Sequence, residues 1–440
     1  MRIGAQVFAI FLLLPSVGHA AEYHVDENVA PKSAEDVFSP MRDSIRERPA
    51  PIRGVLGKRL ENAPPFWRDA TGRLRFRLYE LERRDGDSMV AEAIAGGTEW
   101  ELTTGSWNDR LSLSASWYTS FEIDAPEAGD GTSLLGPGQS DLSVIGKAYA
   151  EIDFGKFIAR LYRQDFDLPF LNRQDSRMIP NTHEGYVVGR TGPKVSFSTG
   201  YITKMKGRDD ENFVPMAKVA GVDDDDGGTQ VAGLKYGFTD TIDLGGILLR
   251  TPDVFQTAYA EGSWRRSLSE RWSAQLGIQY TDQRSIGDEK LGDFQTRSFG
   301  VRSTLSYRGT VASAVYTSTD EGAGIRKPYG GSPSFNSLML FDFDRAGEKA
   351  WGMRLSQDFE RFGLPGFGLQ VNYTRGRHGR NADGDSLRDE REIDFTADFR
   401  PSEGRFKGFW LRLRYARGDR GASADDRRDV RLILNYEISL

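Results

Sequence analysis

Val430-Arg431-Leu432-Ile433-Leu434-Asn435-Tyr436-Glu437-Ile438-Ser439-Leu440 places an apolar residue at every even position, while the odd positions are mostly polar. Side chains of an extended chain alternate between two faces, so this stretch is a strand with one apolar and one polar face. Working back from it, Leu411-Arg412-Leu413-Arg414-Tyr415 repeats the pattern, as do Glu392 to Arg400 and Trp272 to Tyr280. About 18 such segments follow one another. They start near residues 73, 97, 110, 142, 156, 183, 194, 229, 242, 254, 271, 295, 309, 348, 366, 390, 408 and 427.

The links sort into two sets. Short ones (107–109, 154–155, 192–193, 239–241, 266–270, 307–308, 360–365) alternate with long ones (84–96, 120–141, 166–182, 205–228, 282–294, 319–347, 377–389, 418–426). The link 250–253 is brief and 401–407 is of medium length. Short turns on one side and long loops on the other mark a transmembrane barrel. The polar face agrees. It carries Arg302, Arg354, Asp358, Glu392, Asp394, Asp398, Arg400, Arg412 and Arg414, more charge than a dry interior can pair. The apolar side therefore meets lipid and the charged side meets water. Tyr and Trp at strand ends, such as Trp351, Tyr373 and Tyr415, suit interfacial girdles. The expected fold is all-β, a transmembrane antiparallel β-barrel of about 18 strands with loops folded into the lumen.

Composition narrows the alternatives. The 440 residues are 38% hydrophobic, 28% charged and 11% aromatic, which excludes a disordered chain. The absence of Cys excludes disulfides and thiolate metal sites. A net charge of −6, with both signs interleaved, argues against nucleic acid as a partner. Met1-Arg2, the apolar run Val7 to Leu14 and Gly18-His19-Ala20 read as a signal peptide over 1–20. The rest divides into a polar extension, 21–72, in which Ser33 to Asp36 suits a helix cap, and a barrel, 73–440.

A bore of this size is an aqueous channel whose behaviour depends on its lining. Closure sets the last strand beside the first, so Arg75, Arg77, Arg400, Arg412, Arg414 and Arg431 share one sector of wall. Such an arginine ladder attracts carboxylates, unless acids such as Glu392, Asp394, Asp398 and Glu437 pair it off. The link 166–182 has apolar anchors and prolines suited to folding inward, with Arg163, Asp165, Asp175 and Arg177 as lining charges. The link 319–347 is the other constriction candidate, with Asp320 and Glu321 facing the arginines. Asp223 to Asp226 reads as a solvated loop tip, or as a divalent-cation bridge to lipid headgroups. No cofactor or catalytic motif is present. A barrel hydrolase would have to use His183 or His378.

Tyr162 to Pro169 followed by Asp175 to Thr182 resembles the third-loop signature of the OprD family of outer-membrane porins. Asp342 to Trp351, Gly363 to Gly366, Lys407 to Arg414 and Pro64 to Asp69 are similar to the same family. The resemblance implies an 18-stranded barrel, inward third and seventh loops, and passive uptake of small carboxylate-bearing solutes such as amino acids, peptides or aromatic acids. It implies that Arg77, Arg163, Arg177, Arg412 and Arg414 belong to the ladder and eyelet. The ending in Leu440 departs from the terminal Phe common among porins. The implied location is the outer membrane of a Gram-negative cell. The implied partners are a small solute, outer-membrane lipid and lipopolysaccharide, with homo-oligomers left open. The alternative is a non-conducting barrel with an adhesive or structural role.

Overall fold

The computed structural model describes residues 52, 54–192, 194–420 and 426–440; the signal segment 1–20, the cap at 33–36 and most of the extension 21–72 lie outside them. Among the described residues, eighteen long strands form one antiparallel sheet. They are β1 (Thr71–Asp85), β2 (Ser88–Thr103), β3 (Leu111–Asp124), β4 (Leu142–Asp153), β5 (Ile158–Gln164) and β6 (Thr182–Arg190). Then come β7 (Val195–Lys206), β8 (Thr229–Thr239), β9 (Ile242–Thr251), β10 (Phe255–Ser267), β11 (Trp272–Ser285) and β12 (Gln295–Tyr307). The series ends with β13 (Thr310–Thr319), β14 (Lys349–Asp358), β15 (Phe367–Arg377), β16 (Glu390–Phe399), β17 (Phe409–Asp419) and β18 (Arg427–Ser439). Each strand pairs with its successor, and β18 pairs with β1 from Arg73 opposite Ser439 to Asp85 opposite Arg427. The sheet is a closed barrel, which leaves no backbone edge for lipid to meet.

The burial pattern is inside out. On β17, Arg412 is 1% exposed while the adjacent Leu413 is 50% exposed. Arg431 and Asp429 are likewise covered on β18, whereas Val430 projects outward. Outward Trp100, Trp117, Ile145, Tyr186, Leu234, Ile278, Phe299 and Met353 continue the apolar band around the barrel. Period-two alternation thus sends ionic side chains to the bore.

One expected link is corrected. The segment 84–96 is not a loop; β1 turns at Gly86-Asp87 directly into β2, beginning at Ser88. Its inward residues Ala91, Ala93 and Ala95 are small because Tyr118, Leu134 and Leu135 fill the space beside them. Alanines and the glycines Gly96 and Gly97 leave little hydrophobic contrast to read. Before β1, the short helices α1 (Gly54–Leu60) and α2 (Pro65–Arg68) lie at the short-turn end, where Gly105 N–H donates to the Phe66 carbonyl at 2.9 Å.

Candidate functional site

The bore is not uniformly wet. The third loop of the long-loop end (165–181), counting the turn at Gly86-Asp87 as the first, crosses it and brings a core of its own. Phe166, Leu168, Phe170 and Leu171 pack on Val187, Ile202, Val231, Ile247, Leu249 and Phe255 of the wall from β6 to β10. Met178 and Ile179 pack on Tyr79, Leu81, Ala93, Ala95 and Tyr118 of β1 to β3. The apolar anchors that set this loop apart in sequence are the residues that moor it at both walls.

Between the moorings the loop is held by charge. Asp175 lies 2.9 Å from Arg75 and 2.8 Å from Arg77. Arg77 also donates to the Arg177 carbonyl and, at 2.8 Å, to Asn435. Burial pushes the Asp175 carboxyl up, but Arg75 and Arg77 outweigh it and hold the group well below the usual carboxylate range. Arg177 Nε donates to the Thr132 carbonyl of the loop 125–141 at 2.8 Å, and Arg208 donates to Ser176 Oγ at 2.7 Å.

The seventh loop of the same end (320–348) closes from the other side. Glu392 of β16 accepts the N–H groups of Leu340 and Phe341, both at 2.8 Å. Asn336, fully buried, donates to Thr317 Oγ1 and to the Ala350 carbonyl. It sits on Gly352, where a β-carbon would come within 2.5 Å of its Oδ1. The two loops clasp each other. Asn172 donates to the Gly331 carbonyl at 3.1 Å and accepts the Gly331 N–H at 2.8 Å. Lys327 pairs with Asp342 at 2.9 Å and with Asp344. Burial lifts the Asp344 carboxyl to about 6, although Lys327 pulls it back.

What remains is a waist of about 550 Å³ lined by both loops and the wall. Its wall cations are Arg302, Arg354, Arg414 and Arg431, with Glu261 and Asp394 as wall acids. Arg302 lies over the Phe335 ring at 4.3 Å, and Arg354 donates to the Phe335 carbonyl. Nε of Arg302 and of Arg414 is buried without a hydrogen-bond acceptor among the described residues.

Five of the ladder arginines lie on the adjoining strands β17, β18 and β1. Arg412 stands opposite Asp398, Arg414 opposite Arg431, Arg77 opposite Asn435 and Arg75 opposite Glu437, with Arg400 just beyond β16. They are not equivalent. Arg412 is taken up by Asp398 at 2.7 Å and by the Trp410 ring. Arg75 pairs with Glu99 at 2.7 Å besides Asp175, and Arg431 pairs with Asp429 at 2.6 Å. Arg400 stands near the Trp410 ring at 5.8 Å, at the short-turn end. Arg414 and Arg431 are the two that border the waist.

Of the expected constriction residues, Asp175 and Arg177 line the waist. Asp165 is in a charge cluster beside it, 3.9 Å from Lys147 and 3.8 Å from Arg173. Arg163 is on the outer surface instead. Tyr162 takes φ 92°, which breaks the alternation after the inward Arg160. Arg163 then stands opposite Ala148 and Glu184, pairs with Glu184 at 2.9 Å, and donates to the carbonyl of outward Ile145. Asp320 and Glu321 are exposed at the base of the seventh loop, with Glu321 3.5 Å from Arg380, and they do not line the waist. A loop that doubles back to seat Asn336 turns its first residues away from the bore. Sequence reasoning missed Asn172, Asn336 and Lys327 altogether; the nearest signal was the Pro and Gly content of 327–333.

Two other readings are placed. His183 is buried against Phe166, with ring centroids 5.3 Å apart, away from the outward face that a lipid hydrolase would use. In the acidic run, Asp225 pairs with Lys290 at 2.8 Å and Asp226 with Lys218 at 2.9 Å. Among the described residues no group of His, Asp and Glu suited to a metal ion is found.

A closed barrel with an apolar exterior, narrowed from within by two of its own loops, is a porin. The family model for outer membrane porins of the OprD family matches residues 139–440, and the chain belongs to that family. It is similar to Porin D of Pseudomonas aeruginosa, 22% identical over 428 residues, covering 86% of this chain and 93% of that one. Among solved structures it resembles Pseudomonas aeruginosa OccK9 (OpdG), at 22% identity and TM-score 0.78, covering 86% of this chain and all of that one. It also resembles Pseudomonas aeruginosa OpdK with vanillate, at 21% identity and TM-score 0.76, covering 85% and 100% of the two chains. The location that follows is the outer membrane, with the long loops outside.

Proposed function

We propose that this porin passes small carboxylate-bearing solutes by passive diffusion, with selection at the waist between the third and seventh loops. The carrying observation is the state of Arg414. It borders the waist opposite Arg431, and its Nε has no acceptor among the described residues. A guanidinium in a partly dehydrated narrowing offers strong, directional hydrogen bonds to a carboxylate. Arg302 on β12 and Arg354 on β14, farther along the same wall, give a second cationic contact, so an anion is handed along instead of trapped. Tyr259 and Phe335 add ring surface suited to a flat solute. The relative solved with vanillate, an aromatic carboxylate, supports the same solute class. The acids Glu261, Asp342 and Asp394 would meet an amine on the same solute, so amino acids remain within the class.

The test is planar-bilayer reversal potential together with liposome swelling on benzoate-type acids, amino acids and neutral sugars. Arg414→Gln should lower anion selectivity and slow carboxylate entry several-fold, leaving sugars unchanged. Arg412→Gln, whose partner is Asp398, should move selectivity less. Equal carboxylate and sugar rates in the unaltered protein would overturn the reading, as would the absence of conductance.

A further inference from the structure

The outer surface carries a charge pattern that the bore does not require. On β14 to β18, the outward positions just above the aromatic row are Lys349, Arg375, Arg377, Arg391, Arg417 and Arg428. Three rungs set like charges directly opposite each other: Lys349 with Arg377, Arg375 with Arg391, and Arg417 with Arg428. Like charges facing across a ladder destabilise it, so a counter-charge is called for.

The chain supplies only part of that charge. Asp389 is shared by Arg375 at 3.0 Å and Arg377 at 3.5 Å; Arg391 takes Asp419 at 2.6 Å, and Arg417 takes Asp426. Arg428 lies 3.7 Å from Asp87, and Lys349 has no acidic partner among the described residues. Four carboxylates thus stand against six cations. The arginines stay open to solvent, with side chains of Arg391 and Arg417 63% and 57% exposed. The belt does not run all the way round: the corresponding outward positions of β3 and β4 are Thr119, Phe121, Ile123, Ser143 and Ile145, and the outward Arg250, Arg284 and Arg297 of β9, β11 and β12 face no like charge across a rung.

Two residues below five of the cations along their strands is a bilayer side chain, Trp351, Tyr373, Ile393, Tyr415 or Val430, while Arg377 stands one level higher, above Arg375. A ligand fitting both levels has anionic groups above and acyl chains below. The five strands span about 19 Å, enough for more than one anionic group. Guanidinium forks match phosphate oxygens in pairs. We propose that this belt is a binding site for the phosphorylated glycolipid of the outer leaflet, which docks its phosphates on β14 to β18 and its chains on the band beneath.

The test uses the full-length protein in dodecyl maltoside, titrated by native mass spectrometry with lipid A bearing two, one or no phosphates. Affinity should fall in that order. The triple variant Arg375→Gln, Arg391→Gln, Arg417→Gln should bind the bisphosphorylated form about tenfold or more weakly. A control triple outside the belt, Arg250→Gln, Arg284→Gln, Arg297→Gln on β9, β11 and β12, should stay within about twofold of the unaltered protein, because it removes equal charge elsewhere. Unheated gel mobility and single-channel conductance report folding and the bore separately, so failure here leaves the solute reading untouched. If the triple variant does not fold, Arg391→Gln alone should weaken binding and Arg391→Lys restore most of it. Equal losses in both triples would overturn the site, as would equal affinity for phosphate-free lipid. Complete displacement of the lipid by millimolar inorganic phosphate would also overturn it, by assigning the belt to free phosphate.

Discussion

Asp175 shows how one side chain sets the form of the bore. It bridges Arg75, which Glu99 also holds at 2.7 Å, and Arg77, which pairs with no other acid among the described residues. Asp175→Asn should leave Arg77 without a buried counter-charge and Arg75 with Glu99 alone. The expected result is raised anion selectivity together with noisier current, from a third loop held less firmly, read in single-channel recordings. The pH dependence has a definite sign. A carboxyl held below its ordinary range contributes stability that is present above the unfolded value and lost as pH falls through the folded one. Asp175 therefore keeps the loop clipped at neutral and mildly acid pH. Alternation along β1, β17 and β18 was enough to put five arginines in one sector, with Arg400 just beyond β16. It could not tell which of them would be spent on acids, because Asp175 and Asp398 arrive from a loop and a neighbouring strand. Arg163 escaped parity for a local reason, the positive φ at Tyr162, which no residue type announces.

The two inward loops behave as elements with different fastenings. The third is moored by apolar packing at two walls, and its Phe, Leu, Met and Ile residues were readable in sequence. The seventh has apolar contacts as well, Tyr329 stacked on Phe255 and Phe341 and Phe343 packed with Ala350, but its course is fixed by polar seats at Gly352, Glu392 and Asn172, which carry no hydrophobic signal. This is why its existence was legible while its lining residues were misplaced at Asp320 and Glu321. Gly352→Val puts atoms where Asn336 sits and should lift the seventh loop. Conductance should rise about twofold or more while unheated gel mobility stays that of a folded barrel, since the fault lies in a lumen-facing position. Asp344 gives this loop a pH response. Its carboxyl, raised by burial to about 6, gains a proton as pH falls from 7.5 to 5 and adds one positive charge beside Lys327. Anion selectivity should increase through that window, and Asp344→Asn should already show the acid-form selectivity at pH 7.5. Reversal potentials measured across pH in both proteins check it.

At the scale of the molecule, two solvents with opposite tastes act on alternate residues of the same strands. Leu413→Arg, on the lipid face of β17, should cost about 2–4 kcal/mol in denaturant unfolding from lipid vesicles. Ser313→Arg, on the lumen face of β13, should cost far less and instead alter selectivity. Most strands were found within two residues of their expected starts, because lipid on one side and water on the other keep the contrast high. β2 failed that reading where alanine faces the packed third-loop region, so that the usual contrast between lumen and lipid vanishes. The seam between β1 and β18 carries a temporal consequence. The cylinder joins Arg73 to Ser439, its earliest and latest strands, so the final hydrogen-bonded ladder forms only after synthesis and export of the whole polypeptide. Until that moment the chain is an open ribbon with unpaired borders, and its passage to the bilayer must be escorted or fast.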